Sequence, residues 1–397
     1  MSAGRPARLL VVRWRPFRLP LRHRFEAAHG ALADRLGVLI ELHSSDGLIG
    51  IGEASPMPSL GDGTVEDVLA MLEAHAGAIV RTPDDVLAAL MGGAGVVPTI
   101  LGGGSGRAGD AGIGPGAAAL ACGLDTALLD LEGQRRGVPV ARLLADRVGR
   151  SVSVNAVVGS GDVEATVRFA AEAVTSGYGV LKFKVGAGDL DADVARIEAV
   201  RRANPAVRIR LDANGAWTEA QAVAALEAFA PLDVELIEQP VRAPAVRALG
   251  KLRRKRLTRV AADEALSVPG VVEAIVDQGA ADYLVLKPMR LGGIRRSLDL
   301  AQLGVAASIP SFVTTTFDSS IGTAAALQLA AALGAGRPAD GLSTADHLAA
   351  DLVARPLRPR HGRLRLPSRP GLGVTVSTAA LERLATGPWR EARAGRR

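Results

Sequence analysis

The chain has 397 residues, of which 48% are hydrophobic and 3% aromatic, with one cysteine and a formal net charge of +6. That length supports a large core and more than one domain, and the shortage of aromatics requires a core of aliphatic side chains. The lone Cys122 excludes an internal disulfide, no stretch reaches the apolar length of a membrane span, and the opening MSAGRPARLLVVRWRPFRLPL has no continuous apolar segment of the signal-peptide kind, so a cytoplasmic protein is expected.

Residues 8–55 read as strands and turns. VLIELHSSDGLIGIGEASP places two apolar runs around Ser-Ser-Asp-Gly, which predicts a hairpin. Over 64–91, Val65, Val68, Leu69 and Leu72 recur at helical spacing, with a start signal at Asp62, Gly63 and Thr64. Residues 92–116 contain eleven glycines and read as an insertion without regular structure. Gly104, Gly106 and Gly109 match G-x-G-x-x-G, but no strand precedes them and the next helix starts beyond further glycines, so a dinucleotide site is not expected. That helix carries Leu120, Leu124, Leu128 and Leu131 on one face.

From SVSVNAVVG (151–159) onward the chain repeats. Short apolar runs end at Lys184, Asp212, Glu238, Asp263 and Lys287, at intervals of 28, 26, 25 and 24 residues, with helical segments such as 190–203, 218–229 and 321–334 between runs. One strand, one helix and two loops take roughly 25 to 30 residues, so this is a repeating βα unit. FVTTTF (312–317) is a seventh strand and an eighth passes near Gly341. The predicted fold is α/β: seven or eight βα units close into a TIM-type barrel over 125–344, beside an α+β N-terminal domain over 1–124 to which the tail over 345–397 returns. The segment HGRLRLPSRPGLGVTVS reads as a hairpin-like piece outside the repeat, and WREARAGRR as a frayed end.

In such a barrel the active site lies at the C-terminal ends of the strands, where all five repeated residues fall. Asp212, Glu238 and Asp263 come from adjacent strands, and three carboxylates without His or Cys suit a hard divalent ion, Mg²⁺ or in its place Mn²⁺. Lys184 and Lys287 come from strands four apart in a ring of eight, so they face each other across that site. A carboxylate substrate held at the metal would have a lysine on either face, the arrangement needed to remove a proton next to the carboxylate. For Lys184 to act as base it must be neutral, and the metal together with Lys182, which shares its strand face, disfavours its charged form. Asn214 shares a face with Asp212, and Glu264 neighbours a ligand, so both are expected to hydrogen-bond around the site. Asp282 begins a strand and points to the wrong end. The six histidines show no ligand spacing, and only His23 and His29 are candidates for an active-site loop. The basic run Lys251, Arg253, Arg254, Lys255, Arg256 and Arg259 has no aromatics interleaved and reads as a solvated surface, not a nucleic-acid patch. The expected partner is a small carboxylate, with no nucleic acid and no membrane; a homo-oligomer is compatible with the chain.

The pieces LKFKVG (181–186), LDANGAW (211–217), ELIEQPV (235–241), ADEALS (262–267) and VLKPMRLGG (285–293) resemble the enolase superfamily, in its muconate-lactonizing subgroup, and the resemblance covers nearly the whole chain. It implies a (β/α)₇β barrel covered by an α+β capping domain built from both chain ends, that Asp212, Glu238 and Asp263 bind Mg²⁺, that Lys184 and Lys287 are the acid/base pair, and that GLIGIGEASP (47–56) is a capping hairpin with its active-site loop. The subgroup includes o-succinylbenzoate synthases, N-succinylamino acid racemases, dipeptide epimerases and muconate cycloisomerases. FDSSIGTAAALQLAAAL (317–333), GLSTADHLAADLV (341–353) and GRLRLPSRPGLGV (362–374) are most similar to the synthases, lyases of menaquinone biosynthesis. The acidic Asp-x-Asp of the epimerases is missing at Gly341-Leu342-Ser343-Thr344. Ser319 and Ser320, at a helix start, are candidates to bind a second substrate carboxylate, or else form a simple N-cap.

Overall fold

The computed structural model describes residues 8–27, 30–90, 114–159 and 161–394. Most of the glycine-rich stretch and His29 lie outside them.

The capping domain is a four-stranded antiparallel sheet in the order β13-β1-β2-β3. Its strands are β1 (Leu9–Ala27), β2 (Gly30–Ser44), β3 (Ile49–Ala54) and, from the far end of the chain, β13 (Arg390–Arg393). The predicted hairpin joins β2 to β3, with Gly47 at φ 84° in its turn. Helix α1 (Val65–Arg81) starts on a capping box: the Thr64 hydroxyl accepts from the Asp67 amide, and the Asp67 carboxylate accepts from the Thr64 amide. The single helix expected over 64–91 is two, because α2 (Pro83–Leu90) opens on a proline and Thr82 before it is driven out of the helical region, to φ −140°, ψ 67°.

Helix α3 (Ala117–Arg136) lies across the sheet and runs unbroken through residues 124 and 125. Its approach to β3 requires glycine: a Cβ on Gly52 would stand 1.9 Å from the carbonyl oxygen of Gly123. α3 also reaches the barrel. Buried Asp125 accepts from the Ile294 and Arg295 amides, at the start of a barrel helix.

The barrel follows a single turn, α4 (Ala141–Leu144), and a short strand, β4 (Ser151–Ser153). Its parallel strands are β5 (Ala156–Val158), β6 (Val180–Lys184), β7 (Arg208–Asp212), β8 (Val234–Glu238), β9 (Arg259–Ala262), β10 (Tyr283–Leu286) and β11 (Ser311–Val313), hydrogen-bonded in chain order. The eighth position is held by Asp340 and Gly341, which bridge Val154 on one side and Thr314 on the other and close the ring. Helices α5 (Val163–Thr175), α6 (Leu190–Ala203), α7 (Glu219–Phe229), α8 (Val246–Lys255), α9 (Val271–Asp277), the turn α10 (Pro288–Leu291), α11 (Ile294–Ala306) and α12 (Ser320–Ala332) connect the strands. Among the described residues, no helix is long and apolar enough to cross a membrane.

Three expectations change. SVSVNAVVG is two strands: β5 joins the barrel, whereas β4 pairs antiparallel with β12 (Arg363–Arg365). The 361–377 segment therefore completes a ribbon with β4 and does not form a hairpin of its own. The C-terminal WREAR is ordered: after α13 (Thr378–Leu384), β13 pairs with β1 and the Arg13 guanidinium lies 4.2 Å from the Trp389 ring centroid. A distant strand supplies the hydrogen bonds that local sequence did not promise.

Candidate active site

Barrel register aligns the repeated residues in one row. Lys184 pairs with Asp212, and Asp212 with Glu238, as direct neighbours across parallel strands, while Asp263 and Lys287 directly follow β9 and β10. Side chains alternate along a strand, so Lys182 and Lys184 both point inward. Carboxylate oxygens of Asp212, Glu238 and Asp263 lie within 4.8 Å of one another, and all three residues are buried.

The lysines distribute themselves around this triad. Lys184 Nζ stands 2.7 Å from Asp212 Oδ2, at one end, and Lys287 Nζ 2.5 Å from Asp263 Oδ2, at the other. Lys182 Nζ sits between, 2.8 Å from Asp212 Oδ2 and 2.5 Å from Glu238 Oε2. Carboxylates this deep need such counter-charges, because desolvation penalises each ion. Burial works against the Lys182 ammonium, but Asp212 and Glu238 outweigh it and raise its pKa far above the ordinary lysine value. Burial also opposes the charge on Lys287, where Asp263 and Glu264 prevail and raise the pKa. Glu238 goes the other way from a normal acid: burial, reinforced by Asp212 and Asp263, raises its pKa against the pull of Lys182.

The residues fit a divalent ion. Glu238 Oε1 is fully buried and has no hydrogen-bond partner among the described residues, which leaves one oxygen of the triad open to a cation. The donor set is all carboxylate oxygen, which suits a hard ion. Asn214 Oδ1 accepts from Lys184 Nζ at 2.7 Å, and its Nδ2 donates to Glu264 Oε1 at 2.8 Å. Gln239, which sequence reasoning passed over, accepts from the Asp263 and Ala265 amides and fixes the backbone that carries a triad member.

Above the row opens a pocket of ≈ 450 Å³. Lys182, Lys184, Lys287, Asp212 and Asn214 form its floor, Thr314–Thr316 and Thr344 one wall, and the capping domain its roof, through Phe25, Leu32, Leu36 and Pro56–Leu60. Most of that roof is apolar. Phe25 packs against Phe317, with ring centroids 4.7 Å apart, and both meet the ring of His347. His23 is exposed on the β1 segment.

Ser319 and Ser320 require a correction. Both are fully buried and neither lines the pocket, because the start of α12 is already filled by the protein's own acids. Glu53 of β3 accepts from the Ser319 and Gly322 amides and from the Ser319 hydroxyl. Asp351 accepts from the Ser320 amide and hydroxyl. Ser319 is the N-cap. No oxyanion of a substrate is needed there, and the helix start serves instead to dock the cap on the barrel.

Arg35 was missed altogether. This buried side chain donates to the carbonyls of Ser55 and Pro56 in the capping loop and to that of Thr316 on the barrel wall, and lies 3.7 Å from Asp318. Burial, helped by Glu53, pushes the Asp318 carboxyl up to about 6 against the pull of Arg35. The only local hint was a charged residue inside an otherwise strand-like run.

Residues 165–380 match the family described as enolase C-terminal domain-like, and residues 11–145 the N-terminal domain of the mandelate racemase and muconate lactonizing enzymes. The chain belongs to the enolase superfamily, in its muconate-lactonizing subgroup. Among its superfamily relatives, muconate cycloisomerase 1-2 of Acinetobacter lwoffii is 31% identical over 87% of this chain and 87% of its own length. The o-succinylbenzoate synthase of Thermobifida fusca is 39% identical over 217 residues, which are 54% of this chain and 66% of the synthase. A dipeptide epimerase from Enterococcus faecalis, solved with Mg and the dipeptide L-Leu-L-Tyr, superposes with a TM-score of 0.82 at 27% identity, over 93% of this chain and 99% of the epimerase. These superfamily members are enzymes, and the acidic triad of this chain is able to bind a metal ion.

Proposed function

We propose that this chain removes the proton α to a substrate carboxylate with the help of Mg²⁺ held by Asp212, Glu238 and Asp263, and that its reaction is the syn dehydration of 2-succinyl-6-hydroxy-2,4-cyclohexadiene-1-carboxylate to o-succinylbenzoate. The observation that carries the reaction class is the flanking of a buried carboxylate triad by Lys184 and Lys287 on the floor of one pocket. A bound Mg²⁺ would act as a Lewis acid toward the substrate carboxylate and lower the cost of its enediolate. Lys184, in its neutral form, takes the α-proton, and Asn214 Oδ1 orients the amine. The same Lys184, now an ammonium, returns that proton to the departing hydroxyl on the same face, and water leaves. Lys287 stays an ammonium, held so by Asp263 and Glu264, and faces the developing negative charge.

Two features support the dehydration over an amine-binding reaction. The similarity to the Thermobifida fusca synthase spans 217 residues. The segment after the eighth strand offers no acid pair: Ser343 Oγ donates to the Asn155 carbonyl, Thr344 shares a hydrogen bond with Thr315, and Asp346 pairs with Arg358 at the surface. Racemisation of an N-succinylamino acid is the second reading, favoured by the presence of both lysines in the pocket lining. Assaying both substrates side by side, with Mg²⁺ and with chelator, tests the proposal. Metal-dependent loss of the cyclohexadiene with little solvent-deuterium exchange into N-succinylamino acids is expected; fast exchange without dehydration would replace the synthase by the racemase.

A further inference from the structure

The basic run of α8 does not stand alone. At the end of the barrel where the strands start, opposite the lysines and carboxylates, lies a cleft of ≈ 530 Å³. Arg253, Arg256 and Arg259 reach it from the α8–β9 segment, Arg208 from the first position of β7, and Arg201 from the last turn of α6. Its acids are Asp233, Glu235 and Asp282.

The charges do not cancel. Asp282 is taken by Arg253, at 2.7 Å. Glu235 is shared by Arg208, at 3.1 Å, and by the wholly buried Arg210, at 2.6 Å. Arg201 spends its donors on the carbonyls of Leu232, Pro205, Val207 and Asp233, which hold the side chain in place but leave its charge uncompensated by a carboxylate. Arg259 donates to the Tyr283 hydroxyl, and among the described residues Arg256 has no ion pair. Five guanidinium groups therefore line the cleft against three carboxylates, one of which is shared with the buried Arg210, in a concavity that concentrates their field.

We propose that this cleft binds a compact oxyanion carrying two or more negative charges. All of its cations are arginines, whose planar forks match phosphate and carboxylate oxygens pairwise. They converge from three separate segments of chain on a concave site, which favours a small anion over the extended backbone of a nucleic acid.

Calorimetric titration of the full chain with pyrophosphate and, separately, with citrate in Mg²⁺-free buffer tests the assignment. One saturable site is expected, weaker at about 200 mM than at about 50 mM salt, and the tighter of the two probes identifies the anionic group preferred. The double variant Arg256→Gly, Arg259→Gln should bind at least ~10-fold more weakly, since each charge-assisted hydrogen bond contributes about one decade. Glycine suits position 256 because Arg256 sits at φ 55°. Exposed Arg360→Gln, Arg365→Gln should bind as the parent does, and so should Lys184→Ala, which separates this cleft from the pocket at the other end of the barrel. Absence of saturable binding by either probe, equal loss in the two arginine double variants, or loss in Lys184→Ala would overturn the proposal.

Discussion

Replacing Glu238 by glutamine separates the metal-binding role of the triad from its contribution to folding. Glu238 is the triad member with an unpartnered buried oxygen, and burial with two neighbouring carboxylates raises its pKa. An acid whose folded pKa is raised costs the fold stability as the pH rises and it gives up its proton, so the charge on Glu238 works against the metal-free chain. The amide removes that charge, keeps the shape, and leaves Lys182 its 2.8 Å contact with Asp212. Metal-free Glu238→Gln should therefore unfold at the parent's temperature or slightly above it. The response to metal is where the two should part. For a site half-filled at ~0.1 mM, ~10 mM Mg²⁺ stabilises the parent by about 2.7 kcal/mol. With unfolding entropy of ~2.1 cal/mol/K per residue over 397 residues, that is a rise in Tm of about 3 °C. Differential scanning fluorimetry with and without MgCl₂ reads it directly. The parent should shift and the variant should not; an equal shift in both would refute the assignment of Glu238 as a ligand.

Further outcomes follow from the same geometry. Lys184→Ala should lower turnover of the preferred substrate by about 10²–10⁴-fold in a steady-state assay, while its far-ultraviolet circular dichroism matches the parent. Arg35→Met leaves the carbonyls of Ser55, Pro56 and Thr316 without their donor and Asp318 without its counter-ion, and should cost about 3 kcal/mol in urea denaturation. Asp318, pushed up from 3.8 to about 6, makes the parent lose stability as the pH rises through that window, with the full penalty present above it. Asp318→Asn should flatten this part of the Tm-against-pH curve, and an unchanged slope would exclude Asp318 as its source.

The row of carboxylates and lysines was legible because each of its residues closes an apolar strand run, and a period near 25 residues forces successive strand ends to one rim of the barrel. Asn214 and Glu264 were within reach for the same reason, through their spacing from Asp212 and Asp263. Ser319 and Ser320 were misplaced because a helix start shows its need for an acceptor but not the acceptor's origin; here Glu53 comes from a strand 266 residues earlier. Arg35 and the C-terminal strand were illegible on similar grounds. Their partners are carbonyls and strand edges far along the chain, and backbone groups carry no mark in the sequence. Only the break at Pro83 was written locally and overlooked.

The pairing of β13 with β1 has a consequence for how the molecule is made. Arg15 donates to the Gly387 carbonyl across 372 residues of chain. During synthesis the barrel emerges whole before β13 exists, so its strands condense while the cap is missing one edge. β1, with Val11 to Trp14 unmatched on that side, waits as an exposed template for whatever strand arrives first. Asp340 and Gly341, which close the ring, also precede β13 in the chain, so every residue the barrel needs is made before the last strand of the cap. The cap thus takes its last edge from the final segment of the chain to be made.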